Sequence, residues 1–540
     1  MLDAIIIADS GLDTYAVSSS FRLQVDGRPA LIQNIRNYIE NNGRIVDPVK
    51  GENENHWHCA PKLNGIVLMS HLLKEGFTVE LIDSYYDERD RFVEHLKCNP
   101  KAVIISTTFI INKSTLARLV EDIRLLAGDI YIIAGGPFVY SSYLLLKRAG
   151  DGDYDTASPA RDFLFLTGDD RPDVDLFIVD ARGEWILSAI LDRIIQGRTF
   201  SDLPNHVRWE DGEYVFSPRG EYGGRQSGLL VDWDVIPERF FASGVMNVQA
   251  SRGCPFHCEF CNFVKDEKDT HIKPIDALVS ELSGLSRRGV KYVRFVDDNF
   301  RLGKNDLNTV CQAFIRTNLD IRWMSFIRAG TLANTDLELL KRAGCIDVQI
   351  GVESADRNIL KNMNKRADPD MYIHVIGDLL NAGINCSCFF LVGFPGETEA
   401  SFQKTLDFIE SIPGPGQSGL FCWTIFSFLL APLSPVYEPS KRALYDLSGY
   451  MDRWKHFSMD SDTARRLIRK AFGEIRHSGP IYSGDNLEML AALAPGQKKQ
   501  FFNLRHSLEK RIAEASQDRR AVIDSFSSIL SSDSSGLYSG

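Results

Sequence analysis

Twice along the 540 residues, apolar runs of strand length alternate with amphipathic stretches of helix length, and few folds accommodate that rhythm. From Leu2 to about Gly197 the runs Ala4–Ala8, Thr78–Ile82, Ala102–Ser106, Ile130–Ala134 and Val174–Val179 predict strands. Helical patterns at Leu63–Lys74, Leu116–Leu125 and Trp185–Ile195 separate or follow them. Strands spaced by helices pair in parallel and need both faces covered, which is a doubly wound α/β domain. Ligands of such sheets sit beyond the carboxyl ends of the strands. A second alternation follows, with strands predicted at Val245–Ala250, Val290–Val296, Ile321–Ile327, Ile346–Gly351, Ser387–Val392 and Cys422–Phe428. It describes an open or complete barrel whose active face is again the carboxyl end. The expected boundaries are a first domain at 1–207, a polar linker at 208–244, the barrel at 245–440, a helical segment at 441–523 and a Ser-rich disordered tail at 524–540.

Charge and leader sequences remove several classes of function. With 61 Lys and Arg against 72 Asp and Glu the formal net charge is −11, which argues against nucleic acid and anionic membrane surfaces as partners. Met1 to Asp9 lacks a basic leader with a long apolar core, and no apolar run is long enough to span a bilayer. The ten cysteines follow no secreted-scaffold spacing, so they read as reduced thiols in a cytoplasmic protein.

Three of those cysteines stand within eight residues, in Ser251-Arg-Gly-Cys254-Pro-Phe-His-Cys258-Glu-Phe-Cys261, just after a predicted barrel strand. A tight loop there turns three thiolates inward together, as an iron–sulfur cube requires, and leaves one iron open to chelate an amino and a carboxylate group. The rival readings are three core cysteines, or a zinc site completed by His257. Later strand ends carry further candidates. Asp297 and Asp298 form a carboxylate pair, Arg328 is a cation, Glu353 and Ser354 follow a glycine, and Gly393 opens a Gly-Phe-Pro-Gly turn. Cys386 and Cys388 share one strand face and read as core.

The Cys-x3-Cys-x2-Cys spacing resembles the signature of the radical S-adenosylmethionine (SAM) superfamily. The resemblance implies a 4Fe–4S cluster on Cys254, Cys258 and Cys261 that donates one electron to SAM, yielding a 5′-deoxyadenosyl radical. It also implies SAM contacts from Phe260, Asp297, Asp298, Arg328, Glu353, Ser354 and Gly393. A doubly wound domain ahead of such a barrel is similar to the cobalamin-binding subgroup. The matching stretches are Ser106-Thr107-Thr108 after the third strand, Gly135-Gly136-Pro137 after the fourth and Gly183-Glu184 after the fifth. In the loop after the first strand Asp9 is retained but the usual histidine is missing from Asp9 to Tyr15. Cobalamin is therefore expected without an axial imidazole on its lower face, His56 and His58 being the only histidines able to supply one.

From about residue 3 to 475 the chain is most similar to the cobalamin-dependent radical SAM P-methyltransferases of phosphinothricin-type biosynthesis. The segments carrying that likeness include Leu81 to Asp90, Leu360 to Lys365 and Trp454 to Ser461, with Ala355 and Asn262 as departures. The likeness implies a methyltransferase of natural-product biosynthesis acting on an unactivated carbon or a phosphinate phosphorus of a small molecule. The methyl group would pass from SAM through methylcobalamin, an electron donor such as flavodoxin or ferredoxin would serve the cluster, and Trp454 and His456 would meet substrate. Two alternatives stay open: a radical cyclisation or rearrangement without net methylation, and a metal- and nucleotide-binding regulator without turnover.

Overall fold

The computed structural model describes residues 2–11, 23–25, 28–41, 60–200, 202–220, 231–263, 271–300, 306–414, 416–482, 485, 493–512 and 526–530. Near its amino end lie β1 (Ala4–Ile7) and the short pair β2 (Gln24–Val25) and β3 (Arg28–Pro29). Then come β4 (Val79–Ile82), β5 (Ala102–Ser106), β6 (Tyr131–Gly135) and β7 (Leu176–Ile178). Strands β4-β1-β5-β6-β7 pair in parallel in that order. The chain thus reverses direction across the sheet between β1 and β5, and ligands of doubly wound domains bind at such a crevice. Every residue of β1 and β5 is buried, as expected of strands covered on both faces. The covering helices Leu63–Lys74, Lys113–Ala127 and Glu184–Ile195 fall where the periodicity puts them, and a fourth, Pro137–Arg148, was not expected.

The sheet does not stop at β7. Strands β8 (His206–Glu210) and β9 (Glu213–Phe216) extend it as an antiparallel hairpin. Asp211 and Gly212 both have positive φ at its tip, the backbone of a tight hairpin turn. The expected linker at 208–244 is thus corrected at both ends. Its start belongs to the first sheet, and Trp233, Phe240 and Phe241 near its end are buried in the core shared by both domains.

The second sheet is built from β10 (Val245–Val248), β13 (Tyr292–Phe295), β14 (Arg322–Phe326), β15 (Cys345–Glu353), β16 (Asn385–Val392) and β17 (Phe421–Ser427), in sequence order and parallel. A two-strand ribbon of β11 (Ser251–Arg252) and β12 (His271–Ile272) stands at its mouth. This is an open barrel of successive βα units. Its helices start on side-chain caps, such as the Thr398–Ser401 capping box before Glu399–Ser411.

The segment from 441 was expected to be helical and is mixed. Strands β18 (Ser448–Tyr450), β19 (Arg453–His456) and β20 (Met459–Asp460) form a small antiparallel sheet ahead of the helix Ser461–Glu474. Beyond that helix, β21 (Gly479–Pro480) adds to the barrel edge, and the helix Pro495–Ile512 follows. The expected disordered tail lies outside the described residues apart from 526–530, which are helical, with Phe526 buried against Phe501. No helix among the described residues is long and apolar enough to cross a membrane.

Candidate active site

The three-cysteine loop leaves the barrel between β11 and β12 and is braced from below. Asp297, buried just past β13, accepts from Ala250 N at 3.2 Å, from Ser251 Oγ at 2.6 Å and from Ser251 N. Asp298 accepts from Gly253 N at 3.0 Å. Burial pushes the Asp297 carboxyl up to about 6 against the pull of those donors. Both carboxylates expected to meet SAM are therefore engaged with the loop backbone. On its far side the loop is tied by Glu259 N to Met363 O at 2.9 Å and by Asn364 Nδ2 to His257 O at 2.7 Å.

Within this frame Cys258 is buried and Cys254 and Cys261 are half-buried. Burial raises the Cys254 thiol and pushes Cys261 up to about 11, so a metal binding there displaces protons. Among the described residues no three His, Cys, Asp or Glu side chains converge as ligands of a single ion. His257 itself is exposed, so the zinc alternative lacks its tetrahedral set. A cube asks for no such convergence, because each thiolate meets its own iron. Three soft donors on a braced loop fit that group.

Around the loop stand residues from the neighbouring strand ends. The Arg328 guanidinium lies 3.7 Å from the centre of the Phe256 ring and donates to Lys365 O. Glu353 closes β15 with φ 67° at a register shift and accepts from Lys365 Nζ at 2.7 Å. A carboxylate held in left-handed backbone at a strand end costs of order 1–3 kcal/mol, the kind of strain that marks a working residue. Lys365 in turn lies 5.8 Å from the centre of Phe260. Ser354 points elsewhere: it is fully buried and receives Asp356 N at 3.1 Å under the next helix.

Gly393 has φ 93°, and a Cβ there would overlap the Trp454 ring. Trp454 donates to Phe428 O at 2.6 Å and stacks on His456 with ring centroids 5.3 Å apart. His456 Nε2 donates to Gly393 O at 3.1 Å while Nδ1 accepts from Ser458 N, so the ring is neutral, and burial lowers its basicity further. Both aromatic residues are 2–3% exposed, which corrects the expectation that they meet substrate: they pack the Gly393 turn from behind. Beneath that turn the buried Glu397 accepts from Gly393 N at 2.5 Å, and burial pushes its carboxyl up to about 8. Cys386 and Cys388 are core residues with sulfurs 3.6 Å apart.

At the switch point of the first sheet, Asp9 after β1 accepts from Gly11 N at 3.2 Å and pairs with Lys62 at 3.6 Å. Asn64 Nδ2 bridges Ala8 O at 2.7 Å and Ser106 Oγ at 2.8 Å, while its buried Oδ1 has no partner among the described residues. Thr107 is buried and donates to Gly135 O at 2.9 Å, so it shapes the turn, whereas Thr108 is exposed. Gly136 has φ 114° and lies against Thr107, with Pro137 opening the next helix. Gly183 packs on Ile178 and precedes Glu184 at the first turn of its helix. An unpaired buried acceptor beside backbone stripped of side chains suits a ligand rich in amide donors. His71 is bonded to Ser188 at 2.6 Å, His95 faces Glu80 at 3.7 Å and His206 is buried, while His56 and His58 lie outside the described residues.

Sequence reasoning missed Asn64, Lys62 and Lys365. Each acts through a partner distant in sequence, and only Lys365, within a quoted segment, carried any signal.

Residues 248–409 match the radical SAM superfamily. An uncharacterized methyltransferase of Pyrococcus horikoshii is 24% identical over 430 residues, covering 76% of this chain and 86% of that protein. The bacteriochlorophyllide d C-12(1)-methyltransferase of Chlorobaculum tepidum is 30% identical over 225 residues, which is 40% of this chain and 45% of its own length. Among solved structures, the radical SAM methyltransferase TsrM of Kitasatospora setae, with cobalamin and a 4Fe–4S cluster bound, aligns with a TM-score of 0.53 at 15% identity, over 81% of this chain and 77% of that one. The cobalamin-dependent SAM radical enzyme OxsB, with aqua-cobalamin bound, aligns with a TM-score of 0.57 at 15% identity, over 99% and 76%. Residues 248–409 therefore carry a radical SAM domain, and the chain as a whole shares the α/β fold of TsrM and OxsB.

Proposed function

We propose that this enzyme is a cobalamin-dependent methyltransferase, moving the methyl group of SAM by way of cobalamin to an unactivated carbon or a phosphinate phosphorus of a small natural-product-type molecule. The observation that carries the reading is the junction of the two sheets. Asn247 on β10 donates to Pro61 O at 3.1 Å, and the next residue, Lys62, pairs with Asp9 at the end of β1. The switch point of the first domain thus borders β10, the edge strand of the barrel that leads into the three-cysteine loop.

In this reading Cys254, Cys258 and Cys261 hold the cluster, with Asp297 and Asp298 keeping the loop in register. Glu353, Arg328 and Phe260 orient SAM beside it, while Ser106, Thr108, Asn64 and the Gly135–Gly136 turn receive the cobalamin. Bound together, these cofactors supply the electron that cleaves SAM and a carrier for its methyl group. The polypeptide supplies positioning and a site closed to water. A cytoplasmic flavodoxin or ferredoxin serves as reductant.

The test needs no substrate. Anaerobically reconstituted protein with bound cobalamin is reduced and given SAM labelled in its methyl group. Label is expected on the cobalamin, with S-adenosylhomocysteine released. Release of 5′-deoxyadenosine with unlabelled cobalamin would instead favour a radical cyclase.

A further inference from the structure

Among the described residues the inward face of this barrel is less tightly packed than the outward one. Outward residues such as Val293, Trp323, Val348 and Phe390 are buried under the helices, Trp323 against Phe314 and Phe390 against Phe408. Their inward neighbours Arg294, Phe326, Gln349, Phe389, Thr424 and Phe426 are only half-buried. A closed (β/α) barrel fills that space with side chains, whereas here these inward side chains retain exposure. Phe326, Phe389 and Phe426 line one side, their rings 5.2 and 6.2 Å apart in succession.

Below them lies a polar layer. The register pairs Asn247 with Arg294, Arg294 with Met324 and Met324 with Asp347, so these side chains share one inward level. The Arg294 guanidinium makes no hydrogen bond or ion pair with any described residue; Asp347 attracts it from beyond contact distance. Asp347 is buried and receives Ser387 Oγ on Oδ2 at 3.0 Å, but its buried Oδ1 has no partner among the described residues. Asn247 donates an amide N–H to Pro61 O, and its buried Oδ1 is likewise unpaired among the described residues. A half-buried guanidinium without a partner and two buried, unpaired acceptors in one layer are costly unless something fills it.

We propose that Asn247, Arg294 and Asp347 anchor the substrate, a small molecule carrying a carboxylate or phosphinate oxyanion beside an ammonium or hydroxyl donor, as amino acids do. The oxyanion takes the guanidinium N–H groups of Arg294, and the donor takes Asp347 Oδ1 and Asn247 Oδ1. The aromatic wall then flanks the part of the molecule nearer the cluster loop. This assignment rests on the reading of the barrel as a radical SAM site. The competing explanation is a water-bridged Arg294–Asp347 pair with a purely structural role.

The experiment is calorimetric titration of reconstituted full-length protein with glycine, acetate and methylphosphinate. Saturable binding is expected, tighter for glycine than for acetate. Arg294→Gln should weaken it by about tenfold or more, with Arg294→Lys between. Asp347→Asn should weaken glycine but not acetate. Preference for methylphosphinate over acetate assigns a phosphinate, and the reverse a carboxylate. Absence of saturable binding, or equal affinity in folded Arg294→Gln and wild type, overturns the proposal. Should Arg294→Gln fail to fold, Arg294→Lys with unchanged affinity overturns it equally. Reductive cleavage of SAM by the wild type, measured separately, reports on the radical SAM reading alone.

Discussion

Glu397 shows how one buried proton shapes this site. Its carboxyl is raised from about 4.5 to about 8 by burial beneath the Gly393 turn. Between those values the folded chain holds a proton that the unfolded chain has released. Stability therefore falls as pH rises through that window, by up to about 1.4 kcal/mol per pH unit, and is flat outside it. Glu397→Gln removes the slope, so the variant should gain on the wild type in urea midpoint between about pH 5 and pH 8. A constant difference across that range would mean that Glu397 is ionised in the fold. At the cluster loop, Cys254→Ala, Cys258→Ala and Cys261→Ala should each abolish SAM cleavage. Stoichiometric zinc with activity surviving Cys258→Ala would refute the iron–sulfur assignment. For cobalamin, His71 is bonded to Ser188, His95 faces Glu80 and His206 is buried, and the loop from Asp9 to Tyr15 has no histidine. Electron paramagnetic resonance of the cob(II)alamin form should lack axial nitrogen splitting. Splitting lost in His56→Ala or His58→Ala would reverse that conclusion.

The antiparallel trio β18–β20 is the element that fixes the Gly393 turn, through Trp454 and His456 on β19. Trp454→Ala should cost about 3–5 kcal/mol of stability, as large core truncations do, while Trp454→Phe should cost about 1 kcal/mol for its lost hydrogen bond to Phe428. Thermal unfolding separates this from a substrate contact, which would instead raise KM at unchanged stability. Neither the trio nor β21 was legible in the sequence. Ser448-Gly-Tyr and Arg453-Trp-Lys-His are too short and too charged to show a strand period, and their pairing is decided by the barrel they cover. The β8–β9 hairpin was legible and overlooked: Asp211-Gly212 between alternating apolar residues is a strong hairpin signal. By contrast Leu63–Lys74 and Ala102–Ser106 were read to the residue, because buried parallel strands and their helices advertise themselves through continuous apolar runs. At the site the position of the three-cysteine loop after its strand was readable from the sequence. The roles of Asp297 and Arg294 were not, since strand-end sequence says nothing about which backbone or cavity a side chain meets.

Beside the apolar core that the two domains share runs a polar seam. Tyr154 accepts from Leu433 N at 3.0 Å, Tyr437 donates to Asp155 at 3.2 Å, and Arg442 pairs with the same carboxylate at 3.2 Å. The seam meets the cluster loop where Val436 N donates to Glu259 O at 2.9 Å. Tyr154→Phe combined with Asp155→Asn should loosen the docking and leave each sheet intact. Hydrogen exchange should then quicken in the helices Pro137–Arg148 and Pro439–Tyr445 while β5 and β16 keep their protection. Equal protection throughout would mean that the apolar core alone sets the docking. The less tightly packed inward face has a wider consequence. The residues that keep this barrel folded face its helices, and the residues that touch what it holds face its hollow, so stability and selectivity are written in separate sets of positions. Exchanging Phe389, Thr424 or Phe426 redraws the chamber without disturbing the shell around it. A lineage carrying such a scaffold can change what it consumes one wall at a time and remain folded at every step.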